Sequence, residues 1–212
     1  MAIRKCVVAV PARLQSSRLP NKVLADIGGK PMIQRVLERC REARTVESVV
    51  LCTDSAELQT QAEGWGFPVL MTAESCSSGS ERIASVAHSL MALAWGDLDP
   101  VAEETAVINV QGDQPFIDPG VIDSMVEEFR RQDPVPAVVT PVYGLKPDSV
   151  HNPNVVKTLL AHDGRALYFS RSAIPHVRDV AEADWHQHTT YWGHVGMYGF
   201  RGDVLAAWDQ LP

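Results

Sequence analysis

Four short, nearly continuous apolar runs separated by amphipathic helical patterns set the fold this chain can adopt. Lys5 to Val10, Ser48 to Cys52, Phe67 to Met71 and Thr105 to Val110 each read as a strand buried on both faces. Between them lie stretches of helical spacing. Pro31 suits a first helical position and is followed by Met32, Ile33, Val36, Leu37 and Cys40 on one face. Ile83, Val86, Ala87, Leu90 and Met91 repeat that spacing as one helix, as do Val121, Ile122, Met125, Val126 and Phe129. Strands of this kind alternating with helices predict an α/β fold with a mostly parallel, Rossmann-like sheet sandwiched by helices. Ligands of such sheets bind beyond the carboxyl ends of the strands. The loops after Val10 and Val110 are therefore the places to look.

The second half reads differently. Ala137 to Tyr143, Asn154 to Leu160, Ala166 to Ser170 and Tyr191 to Phe200 read as strands, which predicts a smaller antiparallel or mixed extension over about 136–200. Asp179 to Thr190 is polar, with three acids plus His186 and His188, and reads as a mobile loop. A chain of 212 residues is long enough for one sizeable core, so the whole of 1–212 is taken as a single domain carrying that extension.

Composition narrows the function. The formal charge is −7 and the sequence pI about 5.5, against a general nucleic-acid or anionic-membrane surface. Val7 to Ala12 is too short for a secretory leader and lacks a cleavage region, and no run approaches the roughly 18–20 apolar residues that cross a bilayer. Cys6, Cys40, Cys52 and Cys76 are scattered without metal spacing, as expected of reduced thiols in a cytoplasmic protein. Cys76 sits in a polar stretch and is expected to be the more exposed.

Positive charge is concentrated against the acidic trend. The first 25 residues hold Arg4, Lys5, Arg13, Arg18 and Lys22 and no Asp or Glu. Arg13, Arg18 and Lys22 fall in the loop directly after the first strand. Like charges crowded at a strand end repel, which is tolerable chiefly where an anion neutralises them. Arg offers a planar fork to phosphate oxygens and Lys a mobile point charge, so the pattern suits a polyphosphate. A solvated basic loop is the plain alternative.

The familiar nucleotide signatures are missing. Gly28-Gly29-Lys30-Pro31 lacks the earlier Gly and the following Ser or Thr of a Walker loop, and no G-x-G-x-x-G follows a strand. A second constellation instead ends the fourth strand, Asn109-Val110-Gln111-Gly112-Asp113-Gln114-Pro115. Gly112 is read as permitting a sharp turn, Gln111 as a donor and acceptor for sugar hydroxyls, and Asp113 as a carboxylate for Mg²⁺, which takes one or two carboxylates beside nucleotide phosphates. An ordinary turn aspartate is the alternative. Ser77-Ser78-Gly79-Ser80-Glu81-Arg82 precedes a helix, with Ser80 as the expected N-cap and Arg82 completing a polar site. Arg171, after an aromatic strand, could hold a carboxylate, and His194 lies in a Gly-His-Val-Gly stretch. His162, His176, His186 and His188 show no convincing partners.

In order along the chain these segments read Pro-Ala-Arg with Leu-Pro-x-Lys (Pro11 to Lys22), Ser-Gly-Ser-Glu-Arg (Ser78 to Arg82) and Asn-Val-Gln-Gly-Asp-x-Pro (Asn109 to Pro115). Asn-Pro-Asn-x-Val-Lys (Asn152 to Lys157), Tyr-Phe-Ser-Arg (Tyr168 to Arg171) and His-x-Gly-x-Tyr (His194 to Tyr198) follow. The set resembles the 3-deoxy-manno-octulosonate cytidylyltransferase, or CMP-Kdo synthetase, family over practically the whole chain. Single motifs are shared with other sugar nucleotidyltransferases, the CMP-sialate enzymes included.

The resemblance implies a nucleotide-diphospho-sugar transferase type of fold. It also implies activation of Kdo, an acidic eight-carbon sugar, with CTP to CMP-Kdo and pyrophosphate for lipopolysaccharide synthesis. It implies Arg13, Lys22 and Asp113 as catalytic residues, Asp113 holding Mg²⁺. Ala12, Arg13, Lys22, Ser78, Gly79, Arg82 and Gln111 are implied at the nucleotide, and Arg18, Gln111, Arg171 and His194 at the sugar. A homodimer through the extension is expected, with neither nucleic acid nor membrane as partner.

Gln114 stands where the family usually has Glu, and Ser80 where it usually has Thr. Family members continue for a few dozen residues beyond the position of Leu211-Pro212, supplying a late Asp as second Mg²⁺ ligand. On that ground the 212-residue chain is expected to be a truncated form, inactive or weak. A transferase for another sugar acid, of sialate or amino-Kdo type, and a non-catalytic nucleotide-binding relative are the alternatives.

Overall fold

The computed structural model describes residues 2–15, 21–96 and 98–210. They form two compact units, one running to Val139 and resuming at Met197, the other spanning Thr140–Gly196.

The larger unit is built on a six-stranded sheet in the order β3-β2-β1-β4-β10-β5. Its strands are β1 (Lys5–Ala12), β2 (Ser48–Thr53), β3 (Val69–Met71), β4 (Thr105–Asn109), β5 (Val138–Val139) and β10 (Tyr198–Arg201). The first four run parallel, with β1 between β2 and β4. β1 is buried from Cys6 to Ala12 and β4 throughout, the pattern of strands covered on both faces. The helices are α1 (Met32–Arg41), α2 (Ala56–Gly64), α3 (Gly79–Ala84), α4 (Ala87–Trp95), α5 (Pro119–Arg131) and α6 (Gly202–Ala206). α1 buries Ile33, Val36, Leu37 and Cys40, and α5 buries Ile122, Met125, Val126 and Phe129, the stripes their spacing predicts. Pro31 is the N-cap of α1, one position before the helix it was expected to begin. The single helix expected through Ile83 and Met91 is two, because Val86 leaves helical geometry at φ −122° and ψ 19°.

Two of the late strands divide. Ala137 to Tyr143 supplies β5 to the main sheet and β6 (Val142–Gly144) to the smaller unit. Tyr191 to Phe200 likewise supplies β9 (Trp192–His194) to the smaller unit and β10 to the main sheet, antiparallel to both β4 and β5. The smaller unit's antiparallel sheet runs β6-β9-β7-β8, with β7 (Lys157–Leu160) and β8 (Ala166–Ser170). The stretch read as a mobile loop instead contains a 3-10 segment, Glu182–Gln187. This segment puts Trp185, 5% exposed, into a core with Val150 and Tyr191. His176 and His151 lie against that indole with centroids 4.6 and 5.1 Å away, so His176 does have a partner.

Lys157 is the largest buried polar group of this unit. It has no exposed surface, and its ammonium donates to the carbonyls of Asn152 (2.8 Å), Val155 (2.8 Å) and Arg171 (2.6 Å). Burial, with the nearby Arg171 charge second, draws its pKa below the usual lysine value.

Candidate active site

A cavity of about 490 Å³ opens at the carboxyl ends of β1 and β4 in the larger unit. Its wall includes Pro11 and Ala12 at the end of β1, Arg13 and Gln15 just after it, Lys22 and Val23 beyond, and Gln111, Gly112 and Asp113 after β4. Cys76 to Gly79 and Arg82 complete it. The structure brings the residues predicted at the nucleotide, Ala12, Arg13, Lys22, Ser78, Gly79, Arg82 and Gln111, together with the predicted metal ligand Asp113, to this one cavity. Arg18 lies outside the described residues. Arg171 and His194 belong to the smaller unit.

The charge is arranged in two ways. Arg13 is exposed. Lys22 Nζ sits 2.6 Å from Asp113 Oδ2, with the side chains 39% and 47% exposed. An exposed pair of this kind stabilises by at most about 1 kcal/mol, so an incoming anion and cation can separate it at little cost. The chemistry suits a hard divalent cation: Asp113 offers carboxylate oxygen, and a cationic group already stands against it. Among the described residues no group of three or more His, Cys, Asp or Glu is placed to hold a metal ion. Such an ion would take its remaining ligands from phosphate oxygens and water.

Arg82 is held very differently. It is 3% exposed, and its Nη2 donates to Asp54 Oδ2 at 2.7 Å. Its Nη1 donates to the Thr72 hydroxyl and, at 3.4 Å, to the Ala73 carbonyl. Neither Asp54 nor Thr72 stood out in the sequence. The cue available was only an Asp one residue after β2 and a Thr one residue after β3.

Close approach, more than turn geometry, explains the cavity's glycines. Neither Gly79 nor Gly112 has positive φ. A Cβ on Gly112 would stand 3.0 Å from the Pro11 carbonyl oxygen and 3.2 Å from Ile33 Cδ1, and one on Gly79 would stand 3.0 Å from Pro11 Cγ. The N-cap of α3 is Ser78, whose hydroxyl accepts from Glu81 N at 3.1 Å, and not the expected Ser80. Ser80 Oγ accepts from Asn109 Nδ2 at 3.4 Å, and Asn109 Oδ1 accepts from Gln111 Nε2 at 3.3 Å. This chain fixes the amide of Gln111 relative to α3. Cys76 is 7% exposed, contrary to the exposure expected of it. Burial pushes the Cys40 and Cys52 thiols up to about 12 and Cys6 higher still, so these three are inert at neutral pH.

In the smaller unit, one guanidinium nitrogen of Arg171 donates to the Pro153 carbonyl at 3.0 Å. His194 Nε2 lies 2.8 Å from the Thr140 hydroxyl, and its ring meets Phe169 edge-on at 4.8 Å. Burial lowers its pKa, favouring the neutral imidazole.

Known proteins match this arrangement closely. The cytidylyltransferase family model covers residues 7–211. A 3-deoxy-manno-octulosonate cytidylyltransferase from Chlorobaculum tepidum is 39% identical over 97% of this chain and 77% of its own length. One from Myxococcus xanthus is 38% identical over 98% of this chain and 77% of its own. A solved CMP:2-keto-3-deoxy-manno-octonic acid synthetase complexed with CTP superposes with a TM-score of 0.85 at 35% identity, over 99% of this chain and 79% of that one. A cytidylyltransferase from Leptospira borgpetersenii, 16% identical with a TM-score of 0.54, shares the fold. With the motif residues of the larger unit gathered at one cavity and relatives of this similarity, the chain belongs to the 3-deoxy-manno-octulosonate cytidylyltransferase family.

Proposed function

We propose that this protein activates 3-deoxy-manno-octulosonate with CTP, giving CMP-Kdo and pyrophosphate. The observation that carries this reading is the convergence of Arg13, Lys22, Asp113, Ser78, Gly79 and Gln111 on one cavity at the strand ends. The sugar's anomeric hydroxyl attacks the α-phosphorus of CTP. A bond from that oxygen to phosphorus forms, the α–β phosphoanhydride breaks, the hydroxyl proton passes to solvent and pyrophosphate leaves. Little covalent work falls to the protein, so catalysis is alignment and charge stabilisation.

Lys22 turns from Asp113 to the triphosphate, and Arg13 shares the charge that develops on the leaving pyrophosphate. Asp113, released, would hold Mg²⁺, whose charge would neutralise the phosphates. Gln111, oriented through Asn109 and Ser80, meets a sugar hydroxyl. Sugar binding is assigned to Arg171 and His194 on the family resemblance. The activity supplies an activated sugar to lipopolysaccharide assembly in the cytoplasm. No helix among the described residues is long and apolar enough to cross a membrane.

A homodimer is part of this reading. β8 is an edge strand whose Leu167, Tyr168 and Phe169 are 63%, 63% and 41% exposed, apolar surface that a second copy would cover. Sedimentation at micromolar concentration should give a dimer. A monomer there would end that part of the reading.

The activity is tested by calorimetric CTP binding with and without Mg²⁺ and by Kdo-dependent pyrophosphate release. CTP binding should tighten with Mg²⁺, lose that dependence in Asp113→Asn, and be accompanied by release only when Kdo is present. Release with sialate but not Kdo would refute the sugar, and CTP binding without release would point to a non-catalytic relative.

A further inference from the structure

The cavity has two ends of different character. Lys22 and Asp113 mark the β4 end with exposed, opposite charges. The other end is built from Arg82, which is tied to the residues just past β2 and β3, strands on the far side of β1 from β4. A triphosphate needs mobile, exposed cations and is suited to the first end. A guanidinium with 3% exposure is not a phosphate clamp of that kind. It is a donor held in place in the cavity wall, a device that can distinguish one flat heterocycle from another. Nη1 is spent on Thr72 and Ala73 and one Nη2 hydrogen on Asp54. The remaining N–H donors have no hydrogen-bond partner among the described residues.

Cytosine and uracil have nearly the same shape and differ in polarity at N3 and at the substituent on C4. Cytosine N3 accepts a hydrogen bond and uracil N3 donates one. A fixed guanidinium donor facing that edge is satisfied by cytosine and opposed by uracil, and an unmatched buried donor is expensive. Such discrimination requires the guanidinium to stay where it is. A buried cation stays in place only where acceptors or a counter-charge hold it, and for Arg82 the counter-charge is Asp54.

We propose that Asp54 is the positioning residue for base selection: its carboxylate locks Arg82 in the cavity wall and so makes the site prefer a cytosine over a uracil nucleotide. This rests on the CTP reading above. A local structural duty does not account for Asp54, because the N-cap of α2 is Ser55, whose hydroxyl accepts from Leu58 N. The carboxylate is directed instead to Arg82, 28 residues away, and is itself 15% exposed. Thr72 supports the same guanidinium from the β3 side.

The test compares CTP and UTP binding, in the presence of Mg²⁺, to the full chain and its variants by calorimetry. Losing one charge-assisted hydrogen bond weakens binding by about tenfold or more. Asp54→Asn should therefore weaken CTP about tenfold and UTP by less than about threefold, so the ratio of affinities falls. Asp54→Glu should recover part of the ratio. Thr72→Val should lower it in the same direction, and decides the matter if Asp54→Asn does not fold. Equal losses for both nucleotides, or an unchanged ratio, would overturn the proposal and leave Asp54 a stability residue. Failure of the CTP reading would look different, since the wild-type chain would itself bind no CTP.

Discussion

Replacing Gly112 by Ala tests whether the floor of the cavity is as rigid as its contacts imply. The added Cβ would lie 3.0 Å from the Pro11 carbonyl oxygen, 3.2 Å from Ile33 Cδ1 and 3.4 Å from Ala12 Cβ. None of these neighbours yields easily. Pro11 and Ala12 belong to β1, hydrogen-bonded in the sheet between β2 and β4, and Ile33 is fully buried. The segment Gln111 to Asp113 must therefore move outward by a few tenths of an ångström. Overpacking of this size costs about 1–3 kcal/mol. In a chain of this length that lowers the thermal midpoint by about 2–4 °C per kcal/mol.

The functional loss follows from the same displacement. Misplacing a reacting group by about 1 Å can cost about a hundredfold, so a few tenths should cost roughly three- to tenfold in kcat/KM for Kdo-dependent pyrophosphate release. Steady-state kinetics and thermal unfolding on the same preparation read both effects. Gly64→Ala is the reference, because a Cβ there meets nothing within 4 Å and φ is not positive. Gly112→Ala with wild-type kcat/KM and an unchanged midpoint would refute the reasoning.

Lys157→Met should destabilise the protein by about 2–4 kcal/mol. Three charge-assisted bonds of about 1.5–3 kcal/mol each are lost, offset by the several kcal/mol no longer spent burying an ammonium. Urea unfolding measures it, and a loss below about 1 kcal/mol would mean the three carbonyls find water freely. Asp123, 8% exposed on α5, accepts from Arg44 N (2.9 Å), Thr45 N (2.9 Å) and the Thr45 hydroxyl (2.8 Å). Burial acts to raise its pKa, but these bonds and the Arg44 charge outweigh burial and hold it below the usual aspartate value. Its stabilisation is then complete above the unfolded-state pKa of about 4 and is lost as pH falls through the lower folded-state pKa. The urea midpoint of wild type should exceed that of Asp123→Asn at pH 7, and the gap should close in acid. A gap independent of pH would exclude this source.

What could be read from the sequence follows from what burial does to composition. β1, β2 and β4 lie between layers of helices, and strands buried on both faces show as unbroken apolar runs, so they were visible within a residue or two. The late strands were visible only as apolar stretches. Nothing in Val139-Thr140-Pro141 or Val195-Gly196-Met197 says that the chain leaves one sheet for another there, because both sheets ask for the same residue types. Trp185 was hidden by its acidic neighbours, since one buried side chain in a polar segment leaves no period. The site residues were visible where they cluster in sequence. Asp54 and Thr72 act on Arg82 from 28 and 10 residues away, and such pairings exist only after the strands are in register.

The cationic loop changes meaning in the same way. From sequence alone, crowded positive charge after β1 calls for an outside anion. In the folded chain Asp113 supplies one, and Lys22 rests on it at 2.6 Å. This removes the repulsion argument at Lys22 in the free protein and replaces it with an exchange. In the proposed reaction a triphosphate would take the ammonium, and the carboxylate it leaves would be free for a divalent cation. Because both side chains are well exposed, the pair is weak, and an incoming anion separates it at little cost. The specificity of the cavity cannot then lie at this end, where any nucleoside triphosphate would do the same. On the base-selection proposal it lies where charge is buried and fixed, at Arg82 and the carboxylate of Asp54 that holds it.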